Sequence, residues 1–141
     1  MNYLSLVGLL TVLLCYTKAQ EFTRENVLAI IEECKTEEGA SDDDIATFKA
    51  RQPPSTPEGK CMRACLMRHL GVLVDGDLSK EEAIKLAEIV IHDEDKVHLA
   101  TTLVESCESL DFHEDPCEAA GQYVSCMYKY AQEHGIVSDD D

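Results

Sequence analysis

Seven cysteines are the residues of this chain best equipped for chemistry, and their number and spacing decide which chemistry is open to them. Cys15 lies at the end of Leu4–Cys15, an apolar run broken only by Ser5, Gly8 and Thr11 and followed by Thr17-Lys18-Ala19. An apolar core of that length with small residues before the cut reads as a secretory signal peptide, residues 1–19, removed before Gln20. A membrane-spanning helix needs about 20 apolar residues, more than this run supplies. Six cysteines then remain. An even number in an exported chain predicts a disulfide framework, with every pairing among the six still open. The cysteines are scattered and form no Cys-x-x-Cys, which argues against a zinc site. Bridged sulfurs also offer no thiolate nucleophile.

Other reactive groups form no constellation. His92 and His98 are separated by five residues, which does not bring two imidazoles to one helix face, and the nearby Asp93, Glu94 and Asp95 suit a helix start better than a metal. Asp75-x-Asp77 with Glu81 and Glu82 is too short and irregular for a calcium loop. The chain holds no Gly-x-Ser-x-Gly, no His-Glu-x-x-His, no phosphate loop and no N-glycosylation sequon. Neither an enzyme nor a cofactor or metal site is expected.

The charge narrows the partners. Twenty-eight acidic residues face 12 basic ones, a formal net charge of −16. Removing residues 1–19 takes Cys15 and Lys18 and leaves 122 residues at −17. So acidic a chain repels phosphate backbones and anionic lipid surfaces. Nucleic acid is therefore excluded as a partner, and stable membrane association is not expected.

The elements that must position the cysteines all read as helices. Thr23 caps a first helix carrying Val27, Ile30, Ile31 and Cys34 on one face, and Gly39 ends it. Ser41 with Asp44 opens a short second helix before Pro53-Pro54. Thr56-Pro57 opens a third that runs to Gly71. Ser79 with Glu82 boxes a fourth, and a fifth starts near Asp93, with Val97, Ala100, Val104 and Cys107 on one side. Asp115-Pro116 opens a sixth, with Glu118 as its box partner, ending before Gly135. No repeat or linker divides residues 20–141, so they form one domain. Cys61 and Cys65 share a face of the third helix, which makes it the hub between two neighbours.

A chain of this length can fold without bridges. Three bridges closing long loops could add about 3–4 kcal/mol each. An empty apolar pocket of roughly 300 Å³ would cost about 7 kcal/mol, so a hollow helical shell is one arrangement that such bridges could sustain. Durability after secretion is the other.

The spacing Cys34-x26-Cys61-x3-Cys65-x41-Cys107-x9-Cys117-x8-Cys126 resembles the six-cysteine signature of insect odorant-binding proteins, across the whole mature chain. Gly71-Val72-Leu73 after the third helix is similar to the family as well. The resemblance implies an all-α, six-helix, disulfide-stapled single domain enclosing an apolar ligand cavity. It implies the pairing Cys34–Cys65, Cys61–Cys117 and Cys107–Cys126. It also implies reversible carriage of a small hydrophobic ligand, an odorant or pheromone, through sensillum lymph toward olfactory receptors, by a monomer or weak homodimer. A carrier of a non-olfactory ligand, or a secreted interaction or defence protein with a filled core, would use the same scaffold.

Offsets from the cysteines carry the family's pocket positions onto Val27, Met67, Leu86, Thr101, Val104, Tyr123 and Met127. Ile136 and Val137 fall where family members close the pocket with a C-terminal lid. His134 and Asp139 to Asp141 flank that segment and raise the possibility of a pH-dependent lid, against the alternative of solvated bystanders. Arg63, two after Cys61, stands where relatives often have an apolar residue. It either turns to solvent or sets a charge at the pocket rim. No Trp is present to stack on a ligand.

Overall fold

The computed structural model describes residues 23–135. Six helices are present among them: α1 (Arg24–Glu38), α2 (Asp42–Lys49), α3 (Pro57–His69), α4 (Lys80–Val90), α5 (Glu94–Cys107) and α6 (Pro116–Glu133). The predicted signal peptide, residues 1–19, and the segment after Gly135, with Ile136 and Val137, lie outside the described residues.

Each helix begins where a short polar side chain accepts from a free backbone N–H of the first turn. Thr23 accepts from Asn26, Ser41 from Asp44, Thr56 from Gly59 and Ser79 from Glu82. Asp93 accepts from Asp95 and Lys96, and Asp115 from Cys117 and Glu118. Only the Ser41–Asp44 pair closes the reciprocal box, the Asp44 carboxylate accepting from the Ser41 N–H at 2.8 Å. The box predicted at Ser79 is half made, because the Glu82 carboxylate turns to Lys85 at 2.7 Å. Glu118 likewise leaves its cap and pairs with Lys60 of α3 at 2.9 Å.

One element departs from the all-helical reading. Leu73–Val74 (β1) and Asp77–Leu78 (β2) form a small antiparallel hairpin, pairing Leu73 with Leu78 and Val74 with Asp77. Asp75 and Gly76 turn it with φ of 52° and 89°, the two positive values that a tight primed turn requires. Strands of two residues are too short to show a period of two.

The third helix is the hub. It packs against α1 and α6, with α2 and β1 also resting on it, while α4 and α5 form a hairpin joined to the rest mainly through α6. The main core lies between α1, α2 and α3, where Ile30, Ile31, Ile45, Met62 and Leu66 are buried with Leu70 and Val72. A smaller cluster of Ala64, Leu73 and Ala120 seals α3, the hairpin and α6. Three disulfides fasten this arrangement. Cys34–Cys65 ties α1 to α3, Cys61–Cys117 ties α3 to α6, and Cys107–Cys126 ties α5 to α6. Every cysteine of residues 23–135 is bridged.

Candidate ligand-binding site

The helices bury their residues unequally. Six residues of α3 are buried, among them Met62, Cys65 and Leu66. By contrast, no described residue of α4 is fully buried, although Ala83, Ile84, Leu86 and Ala87 are apolar. On α5 only Val104 and Cys107 are buried, while Val97, Leu99, Ala100 and Leu103 stay half-covered. An amphipathic helix normally packs its apolar face fully against a neighbour. Here the α4–α5 hairpin leaves much of its apolar surface partly open.

The sequence-predicted residues fall into two groups along this surface. Val27, Met67 and Leu86 are partly buried against the core cluster of α1 and α3. Val104 and Tyr123 meet at a small cavity of about 10 Å³ that Leu78, Ser79, Lys80 and Glu108 also line. Leu78 joins the two groups, since it packs on both core clusters and borders the cavity. Thr101 and Met127 are half-buried on α5 and α6 and belong to neither group. The Thr101 hydroxyl donates to the Val97 carbonyl of its own helix at 3.0 Å.

The cavity is far smaller than a pocket of hundreds of Å³. An empty apolar void is costly, and Leu78, Val104 and Tyr123 leave room there for little more than one water-sized group. A wider open groove of about 380 Å³ lies at the corner between α4 and α5, bounded by Glu88, Ile91, His92, Glu94 and Val97. None of the predicted site residues borders it.

Arg63 does neither of the things its position suggested. It is buried on α3 and points toward α2, its guanidinium lying 4.3 Å from the centre of the Phe48 ring. Its Nη2 donates to the Gln52 carbonyl at 3.0 Å. Burial lowers its pKa to about 10, opposed by the nearby Asp44 carboxylate, so it remains a cation at neutral pH. The charge therefore sits behind the core, within the α2–α3 contact.

The chemistry of the site is that of contact and solvation. His69 approaches the Sγ atoms of Cys34 and Cys65 within 4.8 Å, but both sulfurs are spent in a disulfide and lack the thiolate a metal takes. Among the described residues, no helix is long and apolar enough to cross a membrane.

Disulfides thus fasten the hub helix α3 to both α1 and α6, beside a partly open apolar hairpin. Residues 17–130 match the model of the PBP/GOBP family. The chain belongs to the PBP/GOBP family, the insect odorant-binding proteins. General odorant-binding protein 19d of Drosophila melanogaster is 35% identical over 139 residues, covering 96% of this chain and 93% of that protein. The structure of odorant-binding protein dmelOBP28a, also from Drosophila melanogaster, aligns with a TM-score of 0.69 at 34% identity, over 79% of this chain and 93% of that one. Odorant Binding Protein 7 from Anopheles gambiae, solved with four disulfide bridges and in complex with an azo compound, shares the fold. Its TM-score is 0.61 at 24% identity, over 78% of this chain and 86% of that one. The PBP/GOBP chain described here achieves the fold with three bridges among its described residues.

Proposed function

We propose that this protein is a secreted, non-enzymatic carrier that reversibly takes up small hydrophobic molecules, odorants or pheromones, and conveys them through aqueous lymph toward receptors. The observation that carries this reading is the half-covered apolar face of α4 and α5 beside a core that is otherwise well packed. Apolar surface gains about 25 cal/mol per Å² on leaving water, so a small apolar ligand that completes this face is held by its own desolvation.

The ligand lies between the α4–α5 hairpin and the α1–α3–α6 layer, against Val27, Met67, Leu86, Val104 and Tyr123, with Thr101 and Met127 at the margin. Entry spreads the hairpin from that layer, since the cavity at Tyr123 is too small for a whole ligand. The family membership supports a carrier, and the oxidised cysteines, which hold no free thiol for catalysis, support export by the signal peptide 1–19. The proposal extends to Ile136 and Val137, outside the described residues, as the lid that family members place at this point of the chain.

The test is displacement of N-phenyl-1-naphthylamine from oxidised protein of residues 20–141 by volatile alcohols, aldehydes and esters. Micromolar displacement is expected. A folded protein that never takes up the reporter would overturn the carrier. Displacement that is unchanged after deletion of residues 136–141 would remove the lid and leave the carrier standing.

A further inference from the structure

We infer that Lys80 latches the ligand site: its ion pairs with Glu105 and Glu108 hold the first turn of α4 to the end of α5 beside the cavity, and their release sets how fast ligand enters and leaves. This rests on the carrier reading above.

Of the two helices in the hairpin, α4 is the one free to lift. Cys107–Cys126 binds α5 to α6, whereas α4 carries no cysteine and, among its described residues, none that is fully buried. Lys85 pairs only within α4, with Glu81 at 3.1 Å and Glu82 at 2.7 Å. Lys80 reaches across. Its Nζ lies 3.4 Å from Glu105 and 3.1 Å from Glu108, and among the described residues these are the ion pairs that join α4 to another helix. Lys80 and Glu108 also line the cavity of about 10 Å³, with Leu78, Val104 and Tyr123.

All three charges sit against local preference. The helix dipole favours acids at the N-terminus and bases at the C-terminus. Lys80 is nonetheless the first residue of α4, where Glu81 and Glu82 follow the rule. Glu105 and Glu108 stand at the C-terminal end of α5, which has no base in its last turn. The local helix gains nothing from any of the three, so the contact between the helices accounts for their placement. Without Lys80, two carboxylates three residues apart on α5 would repel each other with no cation between them. The three side chains are 41% to 51% exposed, so salt reaches the pairs and the latch is weak enough to open. Lys80 is thus a positioning residue, acting on the ligand through α4.

The test is stopped-flow release of N-phenyl-1-naphthylamine from oxidised protein of residues 20–141 at about 0.01 M and about 1 M sodium chloride, between which the screening length falls from about 30 Å to about 3 Å. Release from the natural protein should quicken about threefold to tenfold at the higher salt, the range that two exposed ion pairs supply. Lys80→Met should release at the faster rate at both salts, while Lys80→Arg, which keeps the charge, should keep the natural salt dependence. Amide hydrogen exchange without ligand should be faster along α4 in Lys80→Met and unchanged along α3. The salt response of the natural protein decides the matter if Lys80→Met does not fold. Release from the natural protein that does not quicken with salt, or natural release or natural α4 exchange in folded Lys80→Met, would overturn the latch while leaving the carrier intact. A reporter that never binds would overturn both.

Discussion

The central guanidinium carbon of Arg63 sits over the Phe48 ring, 4.3 Å from its centre, inside a helix contact with no other buried cation among the described residues. The Gln52 carbonyl takes one of its N–H groups, whereas Nε has no protein partner. Removing the side chain opens a void beneath Phe48 and deprives the buried Asp44 of its cation. Arg63→Ala should therefore cost about 3 kcal/mol in urea unfolding. Arg63→Met, which refills the space and removes the partly satisfied charge, should cost no more than about 1 kcal/mol. Equal losses in the two variants would mean that the charge, and not the volume, holds α2 to α3.

Two helical glycines should respond oppositely to alanine. A Cβ on Gly59 would meet Asp44 Oδ1 at 2.7 Å and Thr56 Oγ1 at 2.9 Å, two atoms fixed by their own hydrogen bonds. A Cβ on Gly121 would meet only the Lys60 stem, at 3.2 Å to Cγ, and that stem is able to shift. Alanine gains about 1 kcal/mol over glycine in a helix interior. Gly59→Ala should nevertheless destabilise by about 2 kcal/mol through overpacking, and Gly121→Ala should be neutral or stabilising within about 1 kcal/mol. Thermal unfolding of the pair checks the contrast.

These contacts mark the boundary of what the sequence makes legible. All six N-caps could be read from it because a cap is settled within four residues: Thr23, Ser41, Thr56, Ser79, Asp93 and Asp115 each serve the helix they precede. The second arms of the boxes at Glu82 and Glu118 were not, because Lys85 and Lys60 compete for those carboxylates, and Lys60 comes from another helix. The direction of Arg63 depends on Phe48 and Gln52, which only the folded chain brings near. The pairing of the cysteines came from the family resemblance, since spacing alone leaves it open. Of the site, the apolar type of Val27, Met67, Leu86 and Val104 was visible, but their division into two groups was not. Leu78, which joins those groups, was missed, although the Asp75-Gly76 turn was a hairpin signal. The volume of the cavity follows from how closely α4 and α5 approach α6, a tertiary quantity.

Asp44 sets the acid limit of this corner. It accepts from the Thr56 hydroxyl and from the Ser41 N–H and hydroxyl, with Arg63 nearby, and these hold its carboxyl below the ordinary 3.8. A carboxylate whose folded pKa is depressed stabilises the fold above its unfolded pKa, and that stability is lost as pH falls through the folded value. The urea midpoint should therefore decline below the ordinary value of 3.8 as Asp44 protonates. In Asp44→Asn the midpoint should be lower at neutral pH and flatter across the acid range. An acid limb as steep in Asp44→Asn as in the natural protein would assign the decline to other carboxylates.

The three disulfides should separate stability from binding. Cys61–Cys117 joins residues 56 apart, and Cys107–Cys126 joins residues 19 apart. In the loop-entropy account these are worth about 4 and about 3 kcal/mol, so the Cys61→Ser, Cys117→Ser double variant should lose more stability. The shorter bridge has the more local task. Cys107 lies three residues after Val104 and Cys126 three after Tyr123, close to one turn along α5 and α6, so this bond sets the spacing of the two helices at the cavity. Cys107→Ser, Cys126→Ser should keep more of its unfolding free energy, yet show the larger fall in reporter affinity measured at a temperature where both variants are folded. If affinity instead tracks stability across the two variants, the Cys107–Cys126 bond acts on the fold as a whole and has no separate part in shaping the ligand site.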